Sequence, residues 1–279
     1  MATIIEPMDI DHKPEPMELD EQQEASEIAV EAVTRERIEE IAIKTTGQTN
    51  NSKWFAYRRN RLTGSMFGKA LDAYIRPTEA KLLNIKQAVQ GRINLDYLEP
   101  IKWGKNNEQN AIAAYCNKTG HYVKPTGLWL FPCGQLGASP DGLVYESADS
   151  ERPVGILEVK CPYYVRDRHF MELKRSGKLP TYITADLHLN RVHDYYHQVQ
   201  GELYATGADW CDFVMWTTRS CLVIRVYSNP SWATECIPKL LAFYEKVIKV
   251  KCVCMWNFYF LNTLRHFDIL KKIINCFSR

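Results

Sequence analysis

The chain has 279 residues, of which 46% are hydrophobic, and a formal net charge of +2. This length and composition predict a folded protein with a sizeable core, built as one large domain or two small ones. Nine scattered cysteines, an odd number, argue against a disulfide scaffold and favour a reducing compartment, and the apolar run at 252–264 is too short to span a bilayer.

The charge is divided unevenly along the chain. Residues 1–40 carry 13 acidic and 3 basic residues, whereas the remainder carries 20 acidic and 32 basic residues. A basic body suits a nucleic-acid-binding protein, although many soluble proteins without that function are equally basic. Residues 1–25 are predicted to be a disordered acidic leader that keeps the protein soluble or competes with DNA as a mimic. The acidic start does not resemble a signal peptide.

Hydrophobic periodicity and turn residues predict an α/β fold with a mixed central β-sheet flanked by helices. Predicted helices cover 26–44, 52–60, 65–72, 78–90, 106–119, 190–206 and 231–248, and predicted strands cover 127–131, 135–138, 142–145, 154–160, 210–217 and 221–227. We expect one domain at 26–250, with a helical part at 26–120, a core at 100–228 and a last helix at 231–248. Residues 251–279 form an extension without an assigned role.

A basic loop, Arg58-Arg59-Asn60-Arg61, leads into the helix predicted at 65–72, with Thr63 or Ser65 as its cap. Unpaired amides at a helix start, a hydroxyl group and nearby arginines can together bind a phosphate. The alternative is a solvated basic loop without a ligand.

Glu108 lies in the polar and alanine-rich helix predicted at 106–119. Ala111, Ile112 and Tyr115 follow it by three, four and seven residues, so they share its side of the helix and direct the carboxylate toward the protein body. Taken alone, such a glutamate is more often solvated than functional.

The segment Ile156-Leu157-Glu158-Val159-Lys160 predicts a strand with two different faces. Because side chains alternate along a strand, Glu158 and Lys160 point the same way while Leu157 and Val159 bury on the opposite side. Asp141 lies in a Pro-Asp-Gly turn, which can present a carboxylate at a strand end.

This trio of charged groups suits phosphodiester hydrolysis. Carboxylate oxygens hold Mg²⁺ or Mn²⁺, which activates a water and neutralises charge on the phosphate. The lysine can orient or deprotonate the water, or stabilise the phosphorus centre, and the residues alone leave these roles open. An ordinary turn and a half-exposed strand remain the alternative.

The helix predicted at 190–206 has an apolar stripe, formed by Val192, Tyr195, Tyr196, Val199 and Leu203. Gln198 lies beside this stripe. His193 and His197 are four residues apart, but no metalloprotease glutamate or third ligand accompanies them, so we predict no zinc site there. The spacing of Cys252-Val253-Cys254 also differs from that of zinc knuckles.

In this order, the motifs resemble the lambda-exonuclease-like family, also called YqaJ-type viral recombinases, of the PD-(D/E)XK nuclease superfamily. The resemblance covers about residues 52–248. It rests on Trp54 with Arg61-Leu62-Thr63-Gly64-Ser65, Trp103-Gly104 with Glu108 and Tyr115, Gly137-Ala138-Ser139-Pro140-Asp141-Gly142, Leu157-Glu158-Val159-Lys160-Cys161-Pro162, and Tyr196-His197-Gln198-Val199-Gln200.

The resemblance implies a restriction-endonuclease-like core and a role for each site residue. The implied metal ligands, for Mg²⁺ with Mn²⁺ as a substitute, are Glu108, Asp141, Glu158 and the carbonyl of Val159. Lys160 is implied as the catalytic lysine and Gln198 as an active-site glutamine, while Arg61 and Ser65 are implied to bind the 5′-phosphate of a DNA end. Gly64 stands where many relatives carry alanine.

The implied activity is a Mg²⁺-dependent deoxyribonuclease that digests double-stranded DNA from 5′-phosphorylated ends and leaves 3′ overhangs for recombination or DNA processing. An endonuclease of the same superfamily and a catalytically weak DNA-end-binding module are the alternatives. The resemblance also suggests a trimer and a single-strand-annealing protein as a partner, with no membrane association. We expect an intracellular, reducing location, in the nucleus if the source is eukaryotic or viral.

Overall fold

The computed structural model describes residues 32–93 and 95–249. Its helices α1 to α8 are Arg35–Lys44, Ser52–Arg58, Gly64–Ile75, Glu79–Val89, Glu99–Thr119, Phe170–Arg175, Asp194–Thr206 and Pro230–Phe243. Its strands β1 to β8 are Leu62–Thr63, Tyr122–Lys124, Trp129–Leu130, Leu136–Ala138, Gly142–Tyr145, Gly155–Lys160, Trp210–Thr217 and Ser220–Tyr227. Short 3₁₀ turns lie at Gln48–Asn50 and Tyr163–Val165, and a π-helical turn, Tyr244–Ile248, follows α8.

These strands form two mixed sheets. The five-stranded sheet has the order β2-β5-β6-β7-β8, with β6 and β7 parallel and the other neighbours antiparallel. The three-stranded sheet has the order β1-β4-β3, with β1 parallel to β4 and β3 antiparallel to β4. The expected mixed α/β architecture is confirmed, but the described strands are divided between two sheets rather than gathered in one.

Helices cover both faces of the five-stranded sheet. On one face, Ala111 and Tyr115 of α5 pack against Leu157 and Val159 of β6. On the opposite face, Ile156 packs in the larger core, to which α3, α7 and α8 contribute. The alternation along β6 therefore separates two apolar clusters, as the pattern of its sequence predicts.

Two glycines allow α3 and α7 to approach closely. A Cβ atom at Gly68 would lie 2.5 Å from the Cα atom of Asp194, and one at Gly201 would lie 2.6 Å from Cδ2 of Phe67. Neither position has room for a methyl group. This contact brings the start of α3 to α7, where a Cβ atom at Gly64 would lie an ordinary 3.5 Å from Cγ of Gln198.

Some element boundaries differ from the sequence-based expectation. Helix α5 begins at Glu99 rather than at residue 106, although it contains Pro100 and Gly104. Proline is tolerated in the first helical turn because its missing N–H would have no partner there. Helix α7 begins at Asp194 rather than at residue 190, with His193 as its cap, and the short elements β2 and α6 were not predicted.

Helix α1 begins at Arg35, and the side chain of Thr34 caps it by accepting from the amide of Arg37 at 3.3 Å. The earlier part of its predicted range, the acidic leader at 1–25, the extension at 251–279 and the Cys252-Val253-Cys254 segment lie outside the described residues. In the described ranges, no helix is long and apolar enough to cross a membrane.

Candidate active site

Asp141 is held at the start of β5 by the neighbouring strand β6. Its amide donates to the carbonyl of Leu157 at 3.0 Å, and its Oδ2 accepts from the amide of Val159 at 2.7 Å. Because β5 and β6 are antiparallel, the start of β5 and the end of β6 meet at one edge of the sheet. Asp141 and Lys160 therefore reach the same edge.

Glu158 lies at the centre of a buried polar network. Its side chain is 2% exposed, and Oε1 accepts from Nζ of Lys160 and, at 2.6 Å, from Nε2 of Gln198. The same Gln198 nitrogen donates to Oε1 of Glu202 at 2.9 Å. Oε2 of Glu158 is buried and has no hydrogen-bond partner among the described residues.

A cavity of about 330 Å³ opens beside this network and is lined by Glu108, Asp141, Val159 and Lys160, among others. Glu108 reaches it from α5, which covers the face of the sheet opposite to Glu158. The two faces of the sheet meet where the strands end, so the carboxylate of Glu108 approaches those of Asp141 and Glu158 at that end of the sheet. Glu158 does not line the cavity itself, because it is buried beside Lys160.

The electrostatics of this cavity favour positive charge. Burial, with the charges of Glu158 and Glu108 added, raises the pKa of Asp141 well above its usual range. Burial and then the charge of Glu158 raise the pKa of Glu108. Burial alone would lower the pKa of Lys160, but the neighbouring acidic groups, led by Glu158, outweigh it and raise this pKa. Lys160 is therefore a charged ammonium among more numerous carboxyl groups.

The donor atoms suit a hard divalent cation, since carboxylate and carbonyl oxygens are the ligands that Mg²⁺ and Mn²⁺ prefer. The unpartnered Oε2 of Glu158 is an oxygen for which such an ion would provide a partner. As placed, no three His, Cys, Asp or Glu side chains in the described ranges form a ligand set. Glu108, Asp141 and Glu158 share one region, and their carboxyl groups must turn toward a common point to hold one ion.

Arg61 does not lie where a DNA end could reach it. Its side chain is 1% exposed, with Nε donating to the carbonyl of Gly134 at 2.8 Å and Nη1 donating to the carbonyl of Tyr57 at 2.6 Å. The guanidinium thus faces backbone carbonyls in the core, and this placement does not support the expected phosphate contact. Ser65, in contrast, is exposed in the first turn of α3.

Arg58, part of the basic loop that the sequence analysis identified, is a cation near the site to which the family resemblance gave no role. Its guanidinium carbon lies 4.0 Å from the centre of the Trp54 ring, and Nε1 of Trp54 donates to Oγ of Ser139 at 3.0 Å. Ser139 stands two residues before Asp141. Burial lowers the pKa of Arg58 to about 10, so it stays charged at neutral pH, and within the described residues it has no hydrogen-bond or ion-pair partner.

Comparisons with known proteins place this geometry in a family. The model of the YqaJ-like viral recombinase domain matches residues 53–209, which is more than half of the chain. The chain belongs to this family. No curated protein matches the chain.

The solved structures that resemble this YqaJ-like protein include those of a bacterial and a viral protein. An alkaline exonuclease, LHK-Exo from Laribacter hongkongensis, is 24% identical with a TM-score of 0.53, over 71% of this chain and 92% of its own, and its complex with dAMP matches equally well. The KSHV protein SOX, in a complex with DNA, is 13% identical with a TM-score of 0.51, over 80% of this chain and 72% of its own. These similarities confirm the expected nuclease core fold, and family membership confirms the expected class of enzyme, a nuclease.

The matched YqaJ-like range contains every residue of the candidate site, including two that the sequence-based assignment missed. Arg58 could have been found because it follows Trp54 by four residues, the spacing at which two side chains meet on a helix. Glu202 follows Gln198 by the same spacing. Gln198, expected beside the apolar stripe, is buried, whereas Val192, expected in that stripe, precedes α7 and is exposed.

Proposed function

We propose that this YqaJ-like protein is a Mg²⁺-dependent deoxyribonuclease that digests duplex DNA from 5′-phosphorylated ends and leaves 3′ overhangs. The observation that carries the proposal is the meeting of Glu108, Asp141 and Lys160 at one cavity, beside a buried Glu158 with one unpartnered oxygen. This arrangement combines acceptors for a cation with a fixed positive charge, and both can stabilise the charge that develops during phosphodiester hydrolysis.

Each group of the site has a role in this proposal. A bound Mg²⁺, with Mn²⁺ as a substitute, supplies Lewis acidity and neutralises charge on the phosphate. Glu108, Asp141, Glu158 and the carbonyl of Val159 are the groups that would hold it. The Lys160 ammonium, fixed against Glu158, is placed to stabilise charge that develops on the phosphate.

End recognition is assigned to the surface formed by Arg58, Ser65 and the start of α3. The Thr63 side chain makes no cap hydrogen bond, so it leaves the first amides of α3 available to an anion. Arg58 is a partly desolvated cation, and a phosphate would provide the charge-assisted hydrogen bonds that it lacks among the described residues. The similarity to an alkaline exonuclease and to a protein crystallised with DNA supports DNA as the ligand but not this choice of residues.

The test is a degradation time course on linear duplexes labelled at either end and bearing a 5′-phosphate or a 5′-hydroxyl group. We expect Mg²⁺-dependent loss of the strand with the phosphorylated 5′ end, retention of its complement and no cleavage of closed circular DNA. Asp141→Asn, which keeps the size of the side chain, should abolish cleavage while DNA binding persists. Equal cleavage of closed circles would identify an endonuclease, and end binding without cleavage in Mg²⁺ or Mn²⁺ would identify a binding module.

We also propose that residues 26–250 form one nuclease domain that assembles as a trimer, works with a single-strand-annealing protein and acts in a reducing compartment. The six cysteines in the described part are all free, in keeping with that compartment. Light scattering on the full chain tests the assembly, since a monomeric mass at working concentrations would contradict it.

A further inference from the structure

Glu202 is a deeply buried carboxyl group on α7 to which the proposed reaction gives no role. It is 1% exposed, Oε1 accepts one hydrogen bond from Nε2 of Gln198, and Oε2 has no hydrogen-bond partner among the described residues. Burying a carboxyl group with so few partners is unfavourable for folding. A purely structural position would be better filled by an apolar side chain of the same size.

The hydrogen bonds of Gln198 show what Glu202 contributes. The Nε2 atom has two hydrogens, and its two acceptors are Oε1 of Glu158 at 2.6 Å and Oε1 of Glu202 at 2.9 Å. Both carboxyl groups thus hold the amide with its nitrogen toward Glu158. The reversed amide would lose both of these hydrogen bonds from Nε2.

The orientation of Gln198 in turn gives the two carboxyl oxygens of Glu158 different roles. Oε1 receives donors from Lys160 and Gln198, whereas Oε2 receives none from the described residues. The first oxygen is therefore fixed by the protein, and the second is left for a cation. Without an acceptor at position 202, one hydrogen of the amide loses its partner and the amide is free to turn.

We propose that Glu202 is a positioning residue, which fixes the amide of Gln198 and through it determines which oxygen of Glu158 faces the bound cation. This inference rests on the proposed function, because it assumes a divalent cation at Glu158. Removing a hydrogen-bond partner behind a metal ligand typically weakens metal binding about 10- to 100-fold. The expected defect is thus a loss of cation affinity without a loss of stability.

Gln200 provides a matched control on the same helix. It is 2% exposed, its Nε2 donates to the carbonyl of Tyr227 at 2.9 Å, and its Oε1 accepts from the amide of Asn229 at 2.8 Å. These bonds join α7 to the connection between β8 and α8, away from the carboxyl groups. Substitution of Gln200 should affect folding but not the cation.

The experiment measures Mn²⁺ binding by calorimetry and the melting temperature without metal, for the full-length wild type, Glu202→Met, Glu202→Gln and Gln200→Leu. Asp141→Asn defines the background from other acidic residues. Glu202→Met should bind Mn²⁺ about tenfold more weakly or worse, with an unchanged or raised melting temperature. Glu202→Gln retains an acceptor and should bind within about twofold of the wild type, while Gln200→Leu should melt earlier and bind normally.

Wild-type affinity in Glu202→Met would overturn the inference, as would a Glu202→Gln variant that binds as weakly as Glu202→Met. A large fall in the melting temperature of Glu202→Met would assign Glu202 a structural role instead. If the wild type binds Mn²⁺ no better than Asp141→Asn, the proposed cation site itself fails. That result can be distinguished from the others because it compares the wild type with Asp141→Asn and involves no substitution of Glu202.

Discussion

Arg58 and Arg61 stand three residues apart, yet the structure gives them opposite roles, and one pair of substitutions separates them. Arg58→Gln removes a guanidinium that stacks on Trp54 and has no hydrogen-bond or ion-pair partner in the described part of the chain. A charge-assisted hydrogen bond contributes about 1.5–3 kcal/mol. Since about 1.4 kcal/mol corresponds to a factor of ten, Arg58→Gln should reduce the preference for 5′-phosphorylated ends about 10- to 100-fold.

Arg61→Gln should act on the fold instead. It removes the donors to the carbonyls of Gly134 and Tyr57, at 2.8 and 2.6 Å, inside the core. A buried acceptor left without a donor costs about 1–3 kcal/mol. We therefore expect a lower free energy of unfolding for Arg61→Gln, with the preference for phosphorylated ends retained by the folded fraction.

The assay compares initial rates on 5′-phosphorylated and 5′-hydroxyl duplexes at subsaturating DNA, together with the urea midpoint of each variant. Expressing the result as a ratio of the two rates removes errors in the active fraction. The reasoning is refuted if Arg61→Gln lowers this ratio as much as Arg58→Gln does, or if Arg58→Gln leaves the ratio unchanged. The first result would mean that the end phosphate reaches the core side of the loop, and the second would mean that Arg58 does not bind the end phosphate.

Three further tests address the packing and the electrostatics. Gly68→Ala should lower the free energy of unfolding by about 1–3 kcal/mol through overpacking, whereas Gly64→Ala should be nearly neutral because its Cβ atom meets only ordinary contacts. Burial lowers the pKa of His197, whose neutral Nδ1 accepts from Nε1 of Trp232. The free energy of unfolding should therefore fall as the pH drops below about 6.5, and His197→Gln should make this fall smaller. Asp141→Asn should raise the melting temperature of the metal-free protein at neutral pH, because burial raises the pKa of Asp141 and its ionised form strains the fold.

Denaturant and thermal unfolding measure all three. Equal stability of Gly68→Ala and the wild type would show that the two helices can separate without loss. If the stability of His197→Gln falls at acid pH as much as that of the wild type, other groups cause the acid sensitivity. For Asp141, the raised pKa means that stability is lost as the pH rises from about 4 toward the folded-state pKa. An Asp141→Asn variant that melts below the wild type at pH 8 would contradict the predicted direction of this effect.

The sequence was most informative where a short-range rule controls burial. The alternation in Leu157, Glu158, Val159 and Lys160 predicted which side chains share a face of the sheet, because a strand has a period of two whatever surrounds it. It did not predict that Glu158 is buried as well. The helical spacing of Glu108 and Tyr115 predicted the buried side of α5 for a similar reason.

It was least informative where distant segments decide the outcome. The burial of Arg61 could not be predicted locally, since the carbonyl of Gly134 that binds Arg61 lies 73 residues away. The pairing of Leu62 with Leu136, which creates the second sheet, is equally invisible in a linear pattern. Glu202 was passed over because its neighbour Gln198 was placed beside the apolar stripe rather than in the buried network.

The position of β6 as the middle strand of five has a consequence for how the protein loses activity. Glu158 and Lys160 are paired with Phe213 and Met215 of β7, which lies inside the edge strand β8, so the segment that carries them should be among the slowest to exchange with deuterium. Fraying of the outer strands would leave these two groups in place. Heat inactivation should then follow the global melting curve and not precede it.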